Sequence, residues 1–318
     1  MSESPSYIDN VFPELLSLSS PPLTLLSRAL EHILRSMPPD PPYAASRKLS
    51  GFFAGPLALA YLFLRLSEIH PDLSIEGHPL RYWAISYGCC ERQEDWRLSP
   101  PRDSCGLTSE TLSGLALRAC MTQQTEEVEA FVKGLSEVLE PPTAAAFRSQ
   151  LLFGRAGTLY LLRAVRHFVP HAAALLEGPA EILSRYILDV GDDGQGNWIC
   201  HGRQYIGAAH GEIGILTQLV LTTPSLAPEL QPRLEFLLDG QLDSGNWPNS
   251  AVAGSERHVK WCHGAPGFVI SLLALRAYFP ALKARIDDAV GRARGCIWER
   301  GLLRKEPNLC HGILGNAL

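Results

Sequence analysis

The sequence predicts an all-α chain, an α/α toroid of helical hairpins, and three observations carry that prediction. A two-glycine turn followed by an apolar helical run recurs at an interval of about fifty residues, the signature of a repeat architecture. Amphipathic, charge-bearing segments lie between the recurrences. Strand signals are nearly absent.

The first copy occupies 49–68, where Gly51 and Gly55 precede an apolar run over 57–66 that Pro71 stops. The same order returns at Phe153-Gly-Arg-Ala-Gly157, with an apolar run over 158–169 and Pro170. It returns at His210-Gly-Glu-Ile-Gly214, with a run over 215–221 and Pro224. His263-Gly-Ala-Pro-Gly267 follows, with a run over 268–279 and Pro280, and the last copy is His311-Gly-Ile-Leu-Gly315. The second glycines of these later copies, at 157, 214, 267 and 315, are 57, 53 and 48 residues apart. Gly55 and Gly157 are 102 apart, which leaves room for a degenerate copy over 105–117 containing Gly106 and Gly114.

Each such turn calls for glycine where the backbone takes positive φ or packs against a neighbour. The runs that follow are apolar on nearly every face and therefore belong to helices buried all round. Segments 125–139, 231–238 and 285–294 carry the charges and read as outer helices. One inner and one outer helix per repeat make a hairpin, and six or seven hairpins closing on themselves gather the glycine turns at one end. Residues 1–48 form an N-terminal lead-in with an outer helix, and 49–318 the repeat array.

Composition narrows the function. Of 318 residues, 46% are hydrophobic and 19% charged, which describes a globular protein with a large core. A net charge of −5 without a Lys/Arg cluster excludes a nucleic-acid or anionic-membrane partner of the usual basic kind. No apolar signal core follows the acidic start, and the longest apolar stretch is shorter than the roughly 20 residues that span a bilayer. The expected location is cytoplasmic, with peripheral membrane association left open. Eight cysteines in such a chain read as free thiols or metal ligands. Cys89 and Cys90 have no motif around them.

Chemistry concentrates at the later turns. Trp261-Cys-His-Gly264 and Leu309-Cys-His-Gly312 each set a Cys-His pair before a glycine turn and an apolar run. Two thiols and an imidazole from separate turns can hold one zinc ion with a fourth position open, the feature that separates a catalytic from a structural zinc. Small buried core cysteines are the bland reading of the same residues. Cys200-His201-Gly202 copies the tripeptide, but no apolar helix follows at the same offset, so it reads as a decoy. His210 fits either an acid/base group or a buried histidine at a helix start, and Arg155 either a charge stabiliser or a brace between hairpins. Lys305 sits in a charged run (Glu299, Arg300, Arg304, Glu306) where a solvated surface is the default.

Leu151-Leu-Phe-Gly-Arg-Ala-Gly157, Tyr205-Ile-Gly-Ala-Ala-His-Gly211, Ser244-Gly-Asn-Trp-Pro248, Trp261-Cys-His-Gly-Ala-Pro-Gly267 and Cys310-His-Gly312 together resemble the LanC-like proteins, eukaryotic relatives of the bacterial lanthionine cyclases. Ile297-Trp298, Gly301-Leu-Leu303 and Lys305 also look like that family's approach to its last Cys-His pair. The resemblance runs from about Leu49 onward. It implies a toroid of seven helical hairpins around a zinc ion held by Cys262, Cys310 and His311. It also implies acid/base work for His210, a role for Arg155 on its glycine turn, and a glutathione contact at Lys305. The implied reaction is conjugate addition of a thiol, from glutathione or a peptide cysteine, to dehydroalanine or dehydrobutyrine, giving a thioether. The implied partners are glutathione and a dehydrated peptide or protein. A zinc- and glutathione-binding scaffold without turnover is the alternative. A glycosidase on the same kind of toroid would need two carboxylates flanking a cleft, and no glycine turn presents such a pair.

Three features depart from the family pattern. The motif between Cys105 and Gly114 is eroded. Gln150 stands where an acidic residue is usual. The sequence ends three residues past Gly315, one hairpin short of seven. An array stopping there is expected to be a truncated product that folds poorly and binds zinc weakly, since an uncapped terminal repeat exposes apolar surface and a chain end frays.

Overall fold

A computed structural model describes residues 6–12, 17–39, 50–89, 104–140, 147–251 and 258–317. Cys90, Leu49 and parts of the 1–48 lead-in lie outside the described residues.

The chain is all-α. Its only ladder among the described residues is the two-residue pair Ser74–Ile75 and His78–Pro79. Two compact units are present, one made of Met1–Val11, Pro141–Tyr160 and Ala180–Leu318, the other of Phe12–Glu140 and Leu161–Pro179.

In the second of these, helix Pro56–Ile69 packs on Leu80–Cys89 and on Glu110–Thr122, and the last packs on Thr125–Gly134. The first copy forms its apolar helix, but its second glycine stands before the helix rather than inside it. Gly55 precedes the helix at φ 94°, a region open mainly to glycine, and Pro56 sits where its missing N–H costs nothing. The degenerate copy starts differently. The Ser109 hydroxyl accepts from the Leu112 N–H at 3.3 Å, an ordinary side-chain cap, and Gly114 lies inside the helix. The lead-in supplies helix Pro22–Ser36, which buries Leu30 and Leu34.

The other unit carries the chemistry-bearing turns. Inner helix Glu212–Thr222 packs on outer helix Ala227–Asp239 and on the next inner helix, Ala265–Leu275. The latter packs in turn on outer helix Lys283–Arg300. Each turn places its first glycine just before the helix and its second in the first helical turn. A Cβ at Gly214, Gly267 or Gly315 would lie 1.9, 2.0 and 2.0 Å from the carbonyl oxygens of Ala208, Trp261 and Leu309. In all three the carbonyl belongs to the residue six positions earlier. The second glycine is therefore demanded by close approach rather than by φ, which is why the spacing repeats so faithfully.

A second repeat, of Gly-Asn-Trp, spaces the hairpins. Gly196-Asn197-Trp198 and Gly245-Asn246-Trp247 both begin with glycine at positive φ, 78° and 81°. Each buried indole donates back to the end of the preceding helical segment, Trp198 to the Ile187 carbonyl at 2.8 Å and Trp247 to that of Leu237 at 2.7 Å. Arg233 clamps the earlier copy. Its guanidinium lies 4.1 Å from the Trp198 ring centre, donates to the Gly196 carbonyl at 3.0 Å, and pairs with Glu212 at 3.0 Å. Trp247 stacks on Phe268 at 4.1 Å, fixing the inner helix that follows the Cys262 turn.

Candidate metal centre and its surroundings

Hydrogen bonds between successive glycine turns set the site. The Leu151 N–H donates to the Ala209 carbonyl at 3.3 Å, and that of Cys262 to the Cys310 carbonyl at 3.1 Å. Between them, a Cβ at Gly207 would lie 2.2 Å from the Cys262 carbonyl oxygen, so only glycine lets these two turns meet. Asn246, fully buried, then aims the Cys262 turn. Its side-chain oxygen accepts from the Ala265 N–H at 2.8 Å and its amide nitrogen donates to the His258 carbonyl at 3.2 Å. Asn308 does the same for the last turn, accepting from the N–H groups of Cys310 at 2.7 Å and His311 at 3.2 Å. Asn316 ties that turn back, donating to the carbonyls of Val259 at 2.8 Å and Gly301 at 3.0 Å.

The result is that the donor atoms of Cys262, Cys310 and His311 all lie within 4.8 Å of one another. The two thiols are 6% and 7% exposed, and the imidazole is exposed. The Cys310 thiol donates to the Cys262 sulfur, which holds Cys262 below the ordinary thiol range and pushes Cys310 up. Zinc bonds of about 2.3 Å to sulfur and about 2.0 Å to nitrogen fit donors this close, and two thiolates with one imidazole suit a borderline-soft ion. His311 is exposed, so solvent reaches the cluster from its side.

Lys260 lies near the two thiols, with Lys305 beside it. Lys260 is half-buried and feels both Cys262 and Cys310. Burial holds its ammonium below the usual range, and the adjacent Lys305, exposed and in contact with it, acts in the same direction. Lys260 escaped the sequence reading because a single lysine before Trp261 has no periodic partner.

The histidines form the other flank. His263 lies under Tyr205 and between His210 and His258, with ring centres 5.2, 6.0 and 6.3 Å away. It is not part of the three-donor cluster. Burial, then the neighbouring His210, His258 and Lys260, push its imidazole down to about 4. His210 stacks on Phe153 at 6.1 Å, and burial, followed by His201, holds it below its ordinary value. That shift favours the uncharged imidazole.

Arg155 is 2% exposed. Its guanidinium donates to the Phe147 carbonyl at 2.7 Å and sits 5.9 Å from the Tyr186 ring centre. The guanidinium is thus turned inward. Cys200 is also buried, away from the three-donor cluster, with the Gln150 amide donating to its sulfur at 3.5 Å.

An all-α array of glycine-turned hairpins that converges two thiols and an imidazole defines a class, proteins whose site is assembled from successive repeats. The family profile described as lanthionine synthetase C-like protein matches residues 104–318, and the chain belongs to that family. Among curated relatives, it is 31% identical over 184 residues to the glutathione S-transferase LANCL1 of Danio rerio, a match covering 53% of this chain and 44% of the relative. It is 28% identical over 180 residues to the LanC-like protein GCL1 of Arabidopsis thaliana, covering 52% and 40%. The match thus spans less than half the length of either relative.

Proposed function

We propose that the chain binds one zinc ion through Cys262, Cys310 and His311 and joins a thiol to a dehydroalanine or dehydrobutyrine residue, forming a thioether. The single observation that carries this is the convergence of the three donors, buried on the thiol side and open on the His311 side, beside Lys260 and Lys305. The printed name of the Danio relative, a glutathione S-transferase, makes glutathione the first thiol to test.

When bound, zinc would hold the incoming thiol and favour its thiolate, since a coordinating thiol loses its proton outright. The remaining steps fall to the chain. Sulfur attacks the β-carbon, the C=C pair moves toward the carbonyl, and the α-carbon takes a proton. Neutral His210 can accept the proton that leaves the thiol and return it to the α-carbon, so the addition balances without another reactant. Lys260 and Lys305 offer two ammonium groups to the carboxylates of glutathione or to the enolate oxygen.

A second reading, a zinc- and glutathione-binding scaffold without turnover, draws support from Arg155, which is buried with its guanidinium donating to the Phe147 carbonyl. One experiment separates the two. The zinc-loaded chain is incubated with glutathione and a dehydroalanine peptide, and the adduct is followed by mass spectrometry against a glutathione-only control. Adduct above that control supports the enzyme, saturable glutathione binding without adduct the scaffold, and neither outcome sinks both.

A further inference from the structure

Gln150 occupies a position that the reaction outlined above does not use, and its contacts are specific. It is 5% exposed and spans two functional groups on separate segments. Its side-chain oxygen meets His210 Nδ1, and its amide nitrogen donates to Cys200 Sγ at 3.5 Å. An amide oxygen can only accept, so the hydrogen in the first contact resides on Nδ1 of the imidazole. The second contact places the Cys200 sulfur on the nitrogen side of the amide, and burial first and Asp192 second push that thiol up. The Leu151–Ala209 backbone bond holds the two segments in register, and Phe153 stacked on the ring limits its rotation.

We infer that Gln150 is the positioning residue of the site, holding His210 in its Nδ1–H tautomer so that Nε2 is the atom that accepts and returns the proton, with Cys200 locking the amide. This gives the buried Cys200, otherwise a decoy for the metal motif, a function through its neighbours. A neutral amide here also has a consequence that a carboxylate would not. It orients the ring without stabilising the imidazolium, so His210 stays uncharged and ready as a base. The inference rests on the proton-transfer role given to His210 above, and its test does not need turnover.

The test is the tautomer itself, read from long-range proton–nitrogen correlations of the His210 side chain in the zinc-loaded protein at pH 7.5. The expected spectrum shows one form protonated at Nδ1. In Gln150→Met the ring is released toward the Nε2–H form that free histidine favours, with zinc content unchanged. In Gln150→Glu the carboxylate raises the His210 pKa by roughly 1–3 units, a shift followed by the same nuclei. A wild-type spectrum dominated by Nε2–H overturns the inference, because it means the amide is flipped, with Cys200 donating to its oxygen. An unchanged tautomer in Gln150→Met overturns it as well. Should Gln150→Met fail to fold, the wild-type spectrum and Gln150→Glu still decide. Where turnover is measurable, kcat in Gln150→Met is expected to fall roughly 10- to 100-fold, the range for losing an outer partner that orients a functional imidazole, with KM for glutathione unmoved. Absence of turnover in the wild type would count against the thioether reading while leaving the tautomer result to stand or fall alone.

Discussion

The main chains of Cys262 and Cys310 are hydrogen-bonded to each other, N–H to carbonyl at 3.1 Å, so the two thiols are neighbours before any ion arrives. A preformed donor set predicts one zinc per chain. Cys262→Ser and Cys310→Ser should each lower occupancy in elemental analysis after brief chelator challenge, and Cys200→Ser should leave it intact. Zinc retained in the Cys262→Ser/Cys310→Ser double variant would show that the metal sits elsewhere.

Metal binding and proton transfer fall on different residues and should separate. His210→Ala is expected to keep zinc and glutathione binding and to lose turnover by roughly 10²–10⁴-fold, the usual worth of a positioned acid/base group. An unchanged rate in a well-folded variant would return His210 to a purely structural role.

Burial of His210 also predicts a pH dependence of stability. Its folded-state pKa lies below its ordinary value, so over the interval between the two the unfolded chain binds a proton that the folded chain does not. Stability therefore rises with pH across that interval and falls on acidification below about pH 6.5. Half-buried Glu212 and Asp192 are shifted upward by burial and act with the opposite sign above the ordinary carboxylate range. Comparing urea midpoints of wild type and His210→Gln from pH 7.5 to 5 isolates the histidine. The wild type should lose ground to the variant as pH drops, and parallel curves would contradict the assignment.

The two lysines should not contribute equally. Lys260 is half-buried against the thiols and Lys305 exposed, so solvent screens the latter more. Lys260→Met is expected to weaken glutathione binding by roughly tenfold or more, the worth of a charge-assisted hydrogen bond, and Lys305→Met by less. Calorimetric titration at two salt concentrations checks both the order and its persistence in salt. Equal losses, or a larger one at Lys305, would mean that the ligand lies on the outer surface.

Trp247 tests the link between fold and site. It is 1% exposed, stacked on Phe268 and hydrogen-bonded to Leu237, beside the Asn246 that aims the Cys262 turn. Trp247→Ala should cost roughly 3–5 kcal/mol in denaturant unfolding. It should also weaken zinc retention, and Trp247→Phe should do less of both. Full stability in Trp247→Ala would show that the Gly-Asn-Trp segment does not support the hairpin.

The repeat was legible in the sequence because its causes are local. A glycine packed on the carbonyl six residues back, a buried helix after it and a charged helix beyond are each written within one repeat. The Cys-His pairs at 262 and 310 stood out for the same reason, and so did the all-α class. Where the side chains at those turns point depends on contacts across about fifty residues, where no local period reaches. Cys200 carries the same tripeptide as the other two turns, yet its sulfur meets Gln150, because a different backbone path surrounds it. Arg155 stands at the offset of the donors but turns inward to Phe147. Asn246, Asn308 and Lys260 belong to the site only because separate turns meet there. The sequence by itself determined the class, the period and the candidate donors. Tertiary structure alone decided which thiols meet and which side chains turn inward, because side-chain direction follows from how distant turns hydrogen-bond to one another.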